Sequence, residues 1–459
     1  MQSLPLAEQD GGVTVAVTGE HPALVREPIR RLIRRVALPA VASNLLMTAF
    51  LAADAFWVGQ RLGATSLAAV TASVFWVWMG IAVAEMVSVG LTAVAARRHG
   101  ERRPQEAARA AGDALLLAVA LGVVAAIAGR LGLDAMFRAM RTPPEVAAIG
   151  RAYLALYVLA APVLYGYFAV DATFRASGDT RTPFLILLGT VALALALDPV
   201  LILGLGPAPR LGIAGAAIAT VTSRGLAFAI GFLLLRRRGM LRFGRPRLAV
   251  LATVSRIGLP TAATGVLFSV VYVVVARIAA RFGTPALAAL GLGFRVESWL
   301  YMLGVGFGAA AAAVVGQNLG AGRVDRAARA GWAMLGVASV PAVGVALATF
   351  LVPEALASVF TRDAALVAAT ASYLRIASLA QLVVCGEVVL EGALGGAGAT
   401  VAPMLASVSL TVSRIPLSLW AGSRFGIEGL WWVISATAAA RGVAMMALWR
   451  WGRWKRNLA

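Results

Sequence analysis

The sequence predicts an all-α polytopic membrane protein of twelve transmembrane helices, built as two six-helix repeats related by a pseudo-two-fold axis along the membrane normal. Composition is the first observation behind this: 60% of the 459 residues are apolar and 14% are charged, with a mean hydropathy of +0.84, against about 45–50% apolar and about 25% charged in a soluble domain. The second is that the apolar residues fall in successive blocks of roughly 20 or more, enough to cross a hydrocarbon core of about 30 Å. The third is an internal repeat at an offset of 220 residues. Together they exclude a soluble globular enzyme.

In chain order the spans read 36–60, 66–96, 112–133, 147–174, 182–205 and 212–236, then 254–280, 286–316, 327–352, 366–392, 400–424 and 426–450. The first begins near Pro39 and carries Asp54, the second carries Glu85 near its middle, the fifth begins near Pro183 and carries Asp198-Pro199, and the sixth carries Thr220 and Arg224. In the second set, span 7 has no acid, span 8 has Arg295 and Glu297, span 10 has Glu387 and Glu391 one turn apart, and spans 11 and 12 carry Arg414 and Arg441. The expected domains are a disordered basic tail over 1–35, a six-helix lobe over 36–236, a linker over 237–253, a second lobe over 254–450 and a basic tail over 451–459.

The net charge of +20 follows from topology. Of the 41 Lys and Arg residues, 26 fall in the tails and loops of one side and nine on the other. Short loops rich in Lys and Arg stay in the cytoplasm, so both termini are expected inside, in a multi-pass plasma (inner) membrane protein with lipid around it and no nucleic-acid partner. Residues 1–25 contain no basic region followed by an apolar stretch, so no cleavable signal peptide is expected. One cysteine, Cys385, and two histidines, His21 and His99, exclude an intrachain disulfide and supply no zinc site; no metal, cofactor or catalytic residue is expected.

The repeat aligns Arg61 to Ala69 with Arg281 to Ala289, Gly100 with Gly320, Ala107 to Ala110 with Ala327 to Ala330, Tyr153-Leu154 with Tyr373-Leu374, and Gly178, Thr180 and Pro183 with Gly398, Thr400 and Pro403. With small gaps, Leu38-Pro39 matches Leu259-Pro260, and Gly212 matches Gly426. Six spans is an even number, so both copies enter from one side and form a bundle with a central cleft.

A carboxylate at mid-bilayer costs about 2.5–3.5 kcal/mol on insertion scales and normally persists for a reason. Asp54 and Asp198 each lie 15 residues after a proline near the start of a span, which places both about 22 Å in. Pro199 cannot donate to the helix ladder and is expected to bend span 5, freeing the carbonyl near Leu195. The bland alternatives are that Asp54 snorkels outward or pairs with Arg61, and that Asp198 pairs with Arg224. Glu85 reads equally as a packing group or a ligand. The second lobe has Ser418 where the first has Asp198, and its charges, Glu387 and Glu391, Arg295 with Glu297, and Arg277, Arg375, Arg414 and Arg441, look paired, which usually marks a structural role. Met47, Met79, Met86 and Met302 would make an adaptable cleft or ordinary packing, and Trp449, Trp451 and Trp454 among basic residues read as an interfacial belt.

The run from Val314 to Arg323, preceded by Phe294-Arg295-Val296-Glu297-Ser298, resembles the eighth-span signature of the multidrug and toxic compound extrusion (MATE) transporters. Phe174 to Pro183 is similar to the family's span 4/5 loop, and Gly392 to Pro403 is its second copy. The resemblance covers residues 30–450 and is closer to the archaeal and DNA-damage-inducible-type branch than to the NorM-like branch. It implies two lobes forming a V that opens alternately to either side, exporting cationic or amphipathic compounds against protons or sodium, with the protein acting as a monomer. It also implies a cation site at Asp54 and Asp198, with Asn44 and Thr220 at the matching asparagine and threonine positions. Phe50 and Ala194 replace the usual tyrosine and asparagine, which thins the network around the site, and Phe268 replaces the glutamate of the sodium-coupled branch. In the second lobe Glu387, Glu391 and Arg414 are the residues expected to bear on that lobe or on substrate.

Two desolvated carboxyls at one depth do not both stay ionised, so Asp54 and Asp198 are expected to take up and release a proton. Each pH unit supplies about 1.4 kcal/mol per proton, and 100 mV adds about 2.3 kcal/mol per charge. Sodium wants about five or six oxygen ligands, which Phe50 and Ala194 do not provide, so protons are favoured and sodium is the alternative. A flippase for a lipid-linked saccharide, served by Arg277, Arg414 and Arg441, is a further alternative. A membrane-embedded transferase lacks the Asp-rich magnesium motif or histidine base it would need.

Overall fold

The computed structural model describes residues 22–140, 142–205 and 209–456, apart from some side chains between 55 and 75 and those of 284 and 456. Residues 1–21, Arg141 and the side chain of Arg61 lie outside the described residues, so the tail before 22 and the Asp54–Arg61 pair are not addressed.

The described chain is helical almost throughout. After α1 (Ala23–Arg26) and α2 (Ile29–Leu32), a π-helical turn (Ile33–Ala37) leads into α3 (Leu38–Gly100). The first half continues with α4 (Pro104–Ala139), α5 (Pro144–Leu159), α6 (Ala161–Ser177), α7 (Arg181–Leu203) and α8 (Ile213–Arg237). The second has α9 (Leu248–Ala280), α10 (Thr284–Gly320), α11 (Val324–Leu351), the short α12 (Pro353–Ser358), α13 (Ala364–Gly396) and α14 (Val401–Trp451), closed by a 3-10 turn (Arg453–Arg456).

Twelve membrane crossings are reached by three devices. α3 contains two apolar stretches, Ile29–Asp54 with its lead-in and Ala72–Gly100. Val41 and Arg97, near its two ends, both pack on α10, at Gly306 and Gly320. A straight helix would hold them about 84 Å apart, so α3 doubles back. α5 and α6, expected as one span, meet at 51°: Pro162 has no N–H to give and its ring crowds the Val158 carbonyl. α14, at 51 residues, would be about 77 Å long, and Gly426 at φ 64° breaks it. Its repeat mate Gly212 stands at φ 57° before α8; a side chain in this left-handed region is strained.

The halves meet at the basic end of the bundle. A Cβ on Gly100 would strike the Gln317 carbonyl, and a Cβ on Gly320 would strike the Arg97 carbonyl. Gly100 and Gly320 are repeat mates, as are positions 97 and 317, so this double contact sits on the pseudo-two-fold axis. The α3–α9 contact of Met86 with Gly258 is echoed by the α3–α10 contact of Val41 with Gly306.

The expected disordered tail is folded from Ala23 onward, as two short helices broken at Glu27-Pro28. Leu24 and Leu32 are buried with Val314 and Val315 of α10, Asn318 Nδ2 donates to the Leu24 carbonyl at 3.2 Å and Arg323 donates to the Val25 carbonyl at 3.0 Å. Thr180 of the first half donates to the Val36 carbonyl at 2.8 Å. Buried apolar residues and satisfied carbonyls are what a disordered tail lacks. The link between the halves is likewise shorter than 237–253, because α9 already begins at Leu248; Arg109 holds it by donating to the Phe243 carbonyl at 2.9 Å and the Arg245 carbonyl at 2.8 Å. Trp449 and Trp454, expected in an interfacial belt, are instead buried and stacked at 4.1 Å; Trp451 is exposed.

Candidate functional site

α3 and α7 lie side by side in register. Phe50 of α3 packs with Leu187, Val191 and Ala194 of α7 in one buried cluster, so the two substitutions that thin the network touch the same patch. One turn further along each helix come Asp54 and Asp198, 6% and 0% exposed, close enough for their charges to interact. A turn beyond them, Val58 and Ile202 join Tyr153 in a second apolar cluster. The acids thus sit in a pocket with apolar walls above and below.

Neither carboxyl has the partners that burial demands. Asp54 Oδ1 and both oxygens of Asp198 have no hydrogen-bond partner, and neither acid joins an ion pair among the described residues. Arg224 does not pair with Asp198: it contacts Met47 Sδ and lies 4.9 Å over the Tyr167 ring. A buried carboxylate without a counter-charge is costly, so each acid needs a bound proton or cation to offset its burial.

The remaining polar groups come from α5 and α8. Tyr153, 3% exposed, feels both acids, and its hydroxyl is 3.2 Å from that of Tyr157. Tyr157 feels Asp54 and lies beside Thr220. The structure therefore brings Thr220 near the acid pair through Tyr157, and the two tyrosines were missed by sequence reasoning. A signal existed: the thinning at Phe50 and Ala194 called for hydroxyls from another span, and Tyr153 was already marked by its repeat mate Tyr373.

One expectation is corrected. Asn44 lies ten residues before Asp54, about 15 Å along the helix, and its Nδ2 donates to its own helix at the Ala40 carbonyl at 3.2 Å; it is not part of the site. α7 continues as one helix through Pro199. The ring removes one donor, leaving the Leu195 carbonyl without its ladder partner, as expected, within one continuous element.

A second group of charges lines the gap between the halves. Glu85 of α3 is exposed there and is within electrostatic reach of Glu391, which also feels Glu387. Tyr301 of α10, 47% exposed, feels all three glutamates. Arg441 pairs with Glu387 at 3.2 Å and lies 5.4 Å over Phe268, so the pairing expected for Glu387 is present. Met86 is in the core.

Deeper in the second half, Glu297 accepts from the Tyr373 hydroxyl at 2.8 Å, replacing its expected association with Arg295, which is exposed. Arg414 is 0% exposed.

Twelve spans in two repeats around a polar cleft, with unpartnered acids buried in one half, are the architecture of a membrane transporter. The chain belongs to the MatE family, whose model matches it twice, over residues 39–200 and 260–420. Among curated relatives, it is 31% identical over 465 residues to the probable multidrug resistance protein NorM of Deinococcus radiodurans, covering 94% of this chain and 96% of that one. It is 28% identical over 442 residues to the protein of the same name from Thermotoga maritima, covering 94% of each. The FAD transporter of Shewanella oneidensis is 29% identical over 316 residues, 68% of this chain and 70% of that one. The fold matches a MATE crystal structure in the straight conformation with a TM-score of 0.86 at 23% identity, covering 96% and 98% of the two chains. It also matches the outward-facing conformation of a multidrug resistance MATE family transporter of the MOP superfamily with a TM-score of 0.83 at 24% identity, covering 94% and 96%.

Proposed function

We propose that this MATE family protein exports cationic or amphipathic small molecules by antiport with protons, and that Asp54 and Asp198 are the coupling site. The observation that carries this is the pair of buried carboxyls, with Asp54 Oδ1 and both Asp198 oxygens lacking partners and the two charges interacting, beside Tyr153, Tyr157 and Thr220. In an alternating-access cycle the pair loads from the side to which it is open and discharges to the other. Drug and proton must favour different states for antiport, which a shared dependence on the acid pair provides.

The basic end is taken as cytoplasmic, with both termini inside an inner membrane. The halves are in contact at that end, so this conformation faces outward. The cleft carries Glu85, Glu387 and Glu391 against Arg441, a balance that suits a cationic cargo. It does not suit a lipid-linked pyrophosphate, because Arg441 is engaged by Glu387 and Arg414 is fully buried. Tyr153, Tyr157 and Thr220 restore oxygens that Phe50 and Ala194 withhold, so ligand number does not by itself separate protons from sodium. The apolar walls and the presence of only two carboxyls favour protons. Two of the three curated relatives cited carry the NorM name, and the proposed placement nearer the archaeal branch rests on the acids in spans 1 and 5 and on Phe268. The protein is taken to act as a monomer in lipid.

The test is efflux of a lipophilic cation from proteoliposomes under an imposed pH gradient or an imposed sodium gradient. The pH gradient is expected to drive export and the sodium gradient to leave it unchanged, with Asp198→Asn and Asp54→Asn abolishing export while inserting normally. Sodium-driven export would replace the coupling ion, and wild-type rates in Asp198→Asn would remove the site.

A further inference from the structure

We propose that the second half holds its own cation site and that its occupant is built in: the guanidinium of Arg414 takes the place that a mobile cation takes in the first half. The inference builds on the acid-pair reading above, but its test reads binding in the second half alone.

The repeat supplies the comparison. At the offset of 220, Tyr153 answers to Tyr373, Asp198 to Ser418 and Ala194 to Arg414, and Val274 and Val275 stand where the first half has Asp54. In the first half, then, a small side chain precedes an acid by one turn. In the second, a long cationic side chain precedes a serine, and the acid has moved to α10 as Glu297. Each half still brings a buried tyrosine to a carboxyl: Tyr153 beside Asp54 and Asp198, and Tyr373 donating to Glu297 at 2.8 Å.

Arg414 is coordinated as a guest would be. Its Nε donates to Thr437 Oγ1 at 2.9 Å, one terminal nitrogen donates to the Tyr272 hydroxyl at 2.6 Å and the other donates to the Ile434 carbonyl at 3.3 Å. The guanidinium carbon also lies 5.1 Å from the centre of the Tyr272 ring, a cation–π distance. By the offset of 214 that matches Gly212 with Gly426, Ile434 is the mate of Thr220, so the carbonyl that holds Arg414 comes from the position that serves the first site. All three acceptors are neutral. The compensating charge comes from Glu297 and Glu387, each within electrostatic reach of Arg414; Arg441 on α14 faces Glu387 directly. Ser418 is fully buried with its hydroxyl unpartnered, at the position where the first half has an acid.

The consequence is functional asymmetry. A tethered cation neither loads nor leaves, so the second half keeps the polar network of a site without a transport cycle, and only the first half exchanges ions. Removing one member of a buried charge set is strongly destabilising, whereas removing both is much less so.

The experiment measures melting of purified full-length protein in detergent with methylguanidinium chloride, NaCl or choline chloride added. Arg414→Ala is expected to melt lower than wild type and to gain a saturable stabilisation by methylguanidinium that wild type and Arg414→Ala/Glu297→Gln lack. The double variant is expected to melt above Arg414→Ala. If Arg414→Ala does not accumulate, purification with methylguanidinium present is expected to recover it. A fall in stability shared equally by the single and double variants, or recovery and melting indifferent to methylguanidinium, overturns the proposal. An intact response in a protein whose Asp198→Asn variant still transports would sink the coupling reading and leave this one standing.

Discussion

Asp198 is enclosed on every side, and the groups that could answer its charge are hydroxyls supplied by Tyr153, Tyr157 and Thr220. Breaking that chain tests their role. Tyr157→Phe removes a net hydrogen bond worth about 0.5–1.5 kcal/mol and is expected to slow proton-driven efflux about two- to tenfold without loss of membrane-inserted protein; unchanged initial rates at saturating gradient would show the hydroxyls to be packing groups. Asp54 and Asp198 were legible in the sequence because an acid inside an apolar span is conspicuous, whereas Thr220 entered only through the family resemblance. Tyr153 and Tyr157 were not, since an aromatic in a span reads as packing until its neighbours in space are known. Asn44 misled for the opposite reason: a shared motif gave its type, while ten residues of helix gave its distance.

Elements show the same division. α7 begins at a cap that the sequence does not advertise: Thr182 N donates to Asp179 Oδ1 at 2.9 Å, Thr182 Oγ1 to Asp179 Oδ2 at 2.6 Å and Arg238 to Asp179 Oδ2 at 2.7 Å. Partial burial pushes the Asp179 carboxyl up, but the bonds from Thr182 and Arg238 outweigh it and hold the group below its usual value of 3.8. A carboxyl whose folded value is depressed adds stability above its unfolded value and loses it as pH falls through the folded one. Asp179→Ala is therefore expected to cost about 1 kcal/mol at neutral pH, with the melting gap to wild type closing in strongly acidic buffer; a gap that stays constant there would contradict the cap. The apolar blocks announced ten of the spans plainly. The α5–α6 bend was missed because Pro162 lies inside an otherwise unbroken apolar run.

The whole molecule is held shut at its basic end by contacts that only glycine allows, with Gly100 and Gly320 each against a carbonyl of the other half. Gly320→Val is expected to force the halves apart there, at an overpacking cost of about 1–3 kcal/mol. Spin labels on Gln105 and Arg329, both exposed at that end, with Cys385 replaced, should report longer and broader distances; an unaltered distribution would mean that the contact does not hold the closed state. The repeat made the two-fold plan visible in the sequence, whereas the direction of opening required the contacts. The central claim, that Asp54 and Asp198 carry the coupling proton, is tested most directly by measuring protons released into weakly buffered detergent when a lipophilic cation is added to purified protein. The account predicts release that is indifferent to sodium and absent in Asp198→Asn; release that persists in that variant, or cation binding that requires sodium and frees no proton, would contradict it.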